Sequence, residues 1–166
     1  MPDPTSAAGS APPRLQQPNS QHCFVCGVEN PYGLGLRFYE TGPDQVEAEH
    51  TVPERYQGYP GVVHGGVVAA MLDEMVSRAT MIDRPGQFMV TARLDIAYRA
   101  PVPVGAPLRL TGRLTRRRGR FAFARAELRL DDGTLAAEAE GMMADFPGGL
   151  APPDQLDALG WRVYPD

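Results

Sequence analysis

The stretch His64-Gly65-Gly66-Val67-Val68-Ala69-Ala70-Met71-Leu72-Asp73-Glu74-Met75-Val76-Ser77-Arg78-Ala79-Thr80 decides how the rest of the chain must be arranged. Val68, Met71, Leu72, Met75, Val76 and Ala79 recur at spacings of three and four, the signature of a helix with one apolar face. The spacing predicts a helix over 65–80. A second lane, Gly66, Ala69, Ala70, Asp73 and Ser77, is small or polar, so another group can approach it closely. Arg84-Pro85-Gly86 ends the connection that follows.

Outside this helix the patterning is that of sheet. Leu36–Tyr39 is a short strand candidate, and Gln45–Thr51 is another, with Val46, Ala48 and His50 on one side. Downstream, Val90, Ala92, Leu94, Ile96 and Tyr98 share one parity. So do Leu108, Leu110, Gly112 and Leu114. Arg117-Arg118-Gly119-Arg120 reads as a tight turn, followed by strands over Phe121–Leu130 and Thr134–Ala144 around a DDG turn. One long helix and several long neighbouring strands predict an α+β fold, with the strands in an antiparallel meander that covers the helix.

The 166 residues, 43% of them hydrophobic, suit a single domain with its own core. Residues 1–20 hold five prolines and read as a flexible arm; the domain proper is expected over 21–146, and a Pro/Gly-rich tail over 147–166 with a short helical candidate at Pro153–Leu159. No run of 18 apolar residues occurs, which argues against a membrane span. The start lacks a basic segment followed by an apolar run, so a cytoplasmic protein with free thiols is expected.

All 16 basic residues are arginine, and ten of them fall within 93–129. The net charge is nevertheless −4, which disfavours nucleic acid as a partner. An arginine block in an acidic chain fits a phosphate-bearing small ligand better. Cys23 and Cys26 have metal-ligand spacing, but no second C-x-x-C accompanies them. They are therefore read as packed thiols, and no metal and no cofactor is expected.

Gly58-Tyr-Pro-Gly-Val-Val-His64-Gly65-Gly66 with Asp73, followed by Thr91-Ala-Arg-Leu-Asp-Ile-Ala-Tyr98-Arg-Ala-Pro101-Val-Pro103-Val-Gly105, resembles the hotdog-fold acyl-CoA thioesterases. The likeness is to the phenylacetate-pathway-like (PaaI-like) and thioesterase-superfamily-member branch, over roughly residues 22–145. Cys23-x-x-Cys26-Gly-x-x-Asn30-Pro-x-Gly33-Leu34 is similar to the leader of many bacterial members. The resemblance implies a curved antiparallel sheet wrapped around one long central helix. It also implies a homodimer, often paired into a homotetramer, with active sites at the dimer interface, and hydrolysis of acyl-CoA to a free acid and CoA.

By the same resemblance Asp73 is the general base or the nucleophile, the Gly65 N–H is the oxyanion donor, and Thr91 orients water or carboxylate. Gly65 and Gly66 open a helix, where outward N–H groups and the dipole favour negative charge. His64 is expected to brace the glycines rather than move protons. Glu74, the alternative base, has a ready i,i+4 partner in Arg78. Some relatives carry Asn or Gln at the position of Gly58, so this chain departs from them there. Arg93, Arg116, Arg117, Arg118 and Arg120 are candidates for the CoA phosphates. Tyr59, Val63, Val68, Leu72 and Phe88 are candidates for an acyl pocket suited to a medium-chain or aromatic group. The competing readings are a hotdog hydratase or dehydratase and a non-catalytic acyl-CoA-binding protein.

Overall fold

A computed structural model describes residues 14–84, 86–146 and 152–166. The elements, in chain order, are β1 (Leu15–Gln16), β2 (Tyr39–Glu40), β3 (Gln45–Thr51), α1 (Gly65–Thr80), β4 (Met89–Tyr98), β5 (Pro107–Arg118), β6 (Phe121–Leu130) and β7 (Leu135–Asp145). Short 3₁₀ turns lie at Glu54–Tyr56 and Pro153–Gln155.

The helix occupies the predicted span. It begins where the His64 side chain accepts the Gly66 N–H, and Arg78 supplies a cation in its last turn. Its buried face is the predicted stripe: Val68, Met71, Leu72, Met75, Val76 and Ala79. Among the described residues seven strands curve over it in the order β1-β2-β3-β5-β6-β7-β4, each pair antiparallel.

Small residues on the concave face set how closely the helix sits. Ala122, Ala124, Ala126, Ala137 and Ala139 are all buried there. At the closest crossings even a methyl group does not fit. A Cβ on Gly112 would lie 2.5 Å from the Met75 carbonyl oxygen, and one on Gly141 would overlap Val76 Cγ1. Both glycines are therefore packing residues, fixed by the backbone of α1 on one side and its side chains on the other.

Several expectations need correction. The meander is limited to β5-β6-β7; β4, which precedes them in sequence, crosses to the far edge beside β7. Leu36 and Phe38 are core residues of the approach to β2, and the ladder itself starts only at Tyr39. Residues 14–20 are not an arm. Leu15 and Gln16 pair with β2, and buried Asn19 donates its side-chain N–H groups to the carbonyls of Cys26 (2.7 Å) and Leu36 (2.8 Å). Residues 1–13 of the expected arm and 147–151 of the expected tail lie outside the described residues. The rest of the tail returns to the body, where Asn19 and Arg162 exchange backbone hydrogen bonds and Trp161 packs on Phe88. Its helical candidate shrinks to the single turn at Pro153–Gln155.

Of the three β-bulges among the described residues, two lie at site candidates; the third, at Ala136 in β7, does not. In β4, Thr91 pairs with Met143 and Arg93 with Met142, leaving Ala92 as the extra residue. In β5, Leu114 pairs with Ala124 and Arg116 with Phe123, leaving Thr115 extra. Each bulge flips the parity of the residues beyond it. Thr91 and Leu94 thus both face the helix, and Val90 leaves the face it was expected to share with Leu94.

Candidate active site

Thr91 and Asp73 meet because of the first bulge. Strict alternation would turn Thr91 away from α1 with Arg93. Instead Thr91 Oγ1 donates to Asp73 Oδ1 at 2.7 Å. Asp73 rises half-buried from the small-residue lane of the helix. Thr91 is exposed along the free edge of the sheet.

The second group of site residues gathers at the helix N-terminus. His64 Nδ1 accepts the Gly66 N–H at 2.9 Å, which places any proton of the neutral imidazole on Nε2. The two N–H groups at the helix start differ: the Gly66 N–H is taken by His64, while the Gly65 N–H has no acceptor among the described residues. Tyr98 Oη donates to the Gly65 carbonyl at 2.9 Å and holds the first peptide of the helix from the far end of β4. Tyr98 was not singled out from sequence. Its shared parity with Leu94 and Ile96 was the available signal that it faces the helix.

A cleft of about 680 Å³ opens beside Gly65. Three of the acyl-pocket candidates, Tyr59, Val63 and Val68, line it together with Val62, Tyr98 and Val102. Leu72 and Phe88 do not. Leu72 is wholly buried under the sheet, and Phe88 stacks edge-on against Trp161 at 5.0 Å, beyond the C-terminal end of α1. At Gly58 a Cβ would come within 3.2 Å of His64 Cα, a tight approach to the residue that opens α1.

The arginines divide in two. Arg117 is carried inward by the second bulge and donates to the Thr80 carbonyl at 2.6 Å, capping the C-terminus of α1. It is withdrawn from the phosphate candidates by that bond. Arg116 lies over the Phe123 ring at 4.1 Å and Arg120 over Phe121 at 5.2 Å, and Arg118 is exposed at the same hairpin. Arg93 points outward in an exposed pair with Asp95 at 2.7 Å. Glu74 has the expected partner: Arg78 Nε donates to Glu74 Oε1 at 2.9 Å.

The leader folds against the back of the same helix. Cys23 Sγ accepts the backbone N–H groups of Val25 (3.3 Å) and Cys26 (3.4 Å). The Cys26 thiol beside it chiefly pulls Cys23 down to about 6, and Cys23 in turn pushes Cys26 well above its ordinary value. Among the described residues no helix is long and apolar enough to cross a membrane.

One helix cupped in a curved antiparallel sheet, with a carboxylate–hydroxyl pair at its middle and an open N-terminus beside a cleft, defines a hotdog domain. Residues 60–137 match the family model described as Thioesterase superfamily. The bovine acyl-coenzyme A thioesterase THEM4 is 34% identical over 87 residues, which are 52% of this chain and 35% of that protein. The mouse acyl-coenzyme A thioesterase 13 is 27% identical over 86 residues, 52% of this chain and 61% of that one. The chain thus spans only about a third of the length of the bovine relative. Among solved structures, RHA08564, a thioesterase superfamily protein, superposes with a TM-score of 0.70 at 34% identity, covering 75% of this chain and 61% of that one. The Escherichia coli PaaI protein shares the fold, with a TM-score of 0.63 at 17% identity over 70% of this chain and 83% of that one. The chain therefore has the hotdog fold, and its residues 60–137 are similar to the thioesterase superfamily.

Proposed function

We propose that the protein hydrolyses acyl-CoA thioesters, adding water across the thioester to release a carboxylic acid and CoA thiol. The observation that carries this reading is the 2.7 Å hydrogen bond from Thr91 to Asp73. It fixes one carboxylate oxygen and leaves the other to accept a proton from water or to attack the carbonyl carbon. The Gly65 N–H at the positive end of the helix dipole suits an oxyanion. The apolar cleft beside it suits an acyl chain. That a mouse relative is named an acyl-coenzyme A thioesterase, and that a Streptococcus mutans structure of this fold was solved with acetyl CoA, agree with the substrate class.

The geometry also bears on assembly. Gly65 and Asp73 are eight residues apart on one helix, about 12 Å along its axis. An oxyanion donor and a base acting on one carbonyl must both lie within about 3–4 Å of it. One chain cannot bring its own pair together, so each site takes Gly65 from one subunit and Asp73 from the other. The free edge of β4 supplies the means. Two copies joined antiparallel along β4, about a twofold axis at Asp95 because the ladder skips Ala92, set Thr91 across from the partner subunit's Tyr98. Asp73 of one helix then faces the Gly65 end of the other, and the outward arginines at Arg116, Arg118 and Arg120 are left to meet CoA phosphates.

The test is a panel of acyl-CoA substrates followed by release of free thiol. The reading requires turnover of at least one medium-chain or aromatic acyl-CoA. Binding without turnover across the panel would identify an acyl-CoA-binding protein. Hydration of an enoyl-CoA without thiol release would identify a hydratase.

A further inference from the structure

We propose that Cys23, Cys26 and Glu74 form a binding site for a zinc-class divalent metal ion that ties the leader to α1. One ligand atom from each of the three residues lies within 4.8 Å of the others. Tetrahedral zinc with two sulfur ligands and one oxygen ligand holds these atoms about 3.5–3.8 Å apart, so closure needs only a small side-chain adjustment. His22 adjoins Cys23 in sequence but is not part of the cluster; the fold instead brings Glu74 from 48 residues beyond Cys26.

The turn is already shaped to present sulfur. Two successive backbone N–H groups, from Val25 and Cys26, point at Cys23 Sγ, an arrangement that stabilises a thiolate ligand. The Gly27 N–H closes the turn on the Cys23 carbonyl at 2.9 Å, and a Cβ on Gly27 would overlap that oxygen. Only glycine lets the second cysteine fold back so tightly.

Arg78 supplies the second, independent observation. Its side chain is 1% exposed, yet among the described residues Nη2 has no hydrogen-bond partner. It lines the same cavity, about 270 Å³, as Cys23, Cys26 and Glu74. Phe38 and Trp161 hold the guanidinium at 4.3 and 5.0 Å, so it cannot turn out to water. Two thiolates and a carboxylate around a dication leave one negative charge in excess. The buried guanidinium offsets that charge, and its Nε–H orients the Glu74 carboxylate, as groups behind metal ligands do. The cavity has room for a water as fourth ligand.

The test uses the full chain, reduced, stripped of metal and titrated with cobalt(II). The expected result is one cobalt per chain with intense thiolate-to-metal charge-transfer absorption, displaced by zinc. Cys23→Ser should abolish that absorption. Glu74→Gln, a near-isosteric change at a half-buried residue, should weaken metal affinity about tenfold or more, with the fold checked by circular dichroism. Absence of thiolate absorption in the folded, reduced wild type would overturn the proposal. So would binding that Glu74→Gln leaves unchanged, or a Cys23–Cys26 disulfide whose reduction yields no metal uptake. Thioester turnover enters none of these readouts, so the site stands or falls separately from the hydrolase reading.

Discussion

Thr91 Oγ1 donates to Asp73 Oδ1 at 2.7 Å, a strand-to-helix bond between residues 18 apart in sequence. A neighbouring carboxylate, Glu74, is turned by the helix toward Arg78 and the leader. The two acids thus have different partners, and substitutions separate them. Asp73→Asn is expected to fold, bind acyl-CoA and lose about 100-fold or more in kcat. Thr91→Ala should lose less, and Glu74→Gln less than about tenfold. Steady-state kinetics on the best panel substrate decides it; a dead Glu74→Gln beside an active Asp73→Asn reverses the assignment.

Gly65 allows a sharper test of shared sites. Proline is favoured at the first position of a helix, and His64 already has the extended backbone that a following proline requires (ψ 133°). Gly65→Pro therefore removes the N–H while keeping the helix start. Alone, Gly65→Pro and Asp73→Asn should each be inactive. Refolded together, they should recover about a quarter of wild-type activity, because half the dimers are mixed and each mixed dimer holds one intact site. No recovery in demonstrably mixed dimers would show that one chain completes its own site.

Gly112 and Gly141 test the packing. Alanine at either position forces α1 away from the sheet, and each is expected to lower stability by about 1–3 kcal/mol. Chemical denaturation with an unchanged m-value would check this. Unaltered midpoints would show that the helix has room to shift.

The arginines should part company in assay. Arg117→Ala is expected to lower the thermal midpoint through loss of the Thr80 cap, with equal effects on all substrates. Arg118→Ala with Arg120→Ala should raise KM for acyl-CoA severalfold and spare a short thioester without the nucleotide. Equal loss on both thioesters would remove the hairpin from the CoA site.

What the sequence made legible follows from periodicity. The bounds of α1, β3 and β6 coincide with the expected spans because their apolar residues repeat without interruption. The facing of Thr91 and Arg117 was not legible by counting, since a bulge leaves no mark in composition: Ala92 and Thr115 are ordinary strand residues. The family resemblance assigned Thr91 a role, and the bulge supplies the reason it can reach Asp73. Phe88 and Leu72 were grouped with Tyr59 by chemistry alone, although the fold separates Phe88 from Tyr59 by the length of the helix. The approach of Glu74 to Cys23 and Cys26 was hidden for the same reason, being a contact between distant segments.

The bulge at Ala92 also changes what counts as a matching sequence. Thr91 and Tyr98 are an odd number of positions apart, yet both face α1 because the ladder skips Ala92. A chain lacking that residue would have an even interval and present the same hydroxyl and the same phenol to the helix from a regular strand. Alignments that penalise a one-residue gap there would pair Thr91 with the wrong neighbour in such a chain and report the hydroxyl missing. Hotdog sequences with a Ser or Thr displaced by one position from this register are best compared after allowing that gap, with the ladder rather than the residue count as the ruler.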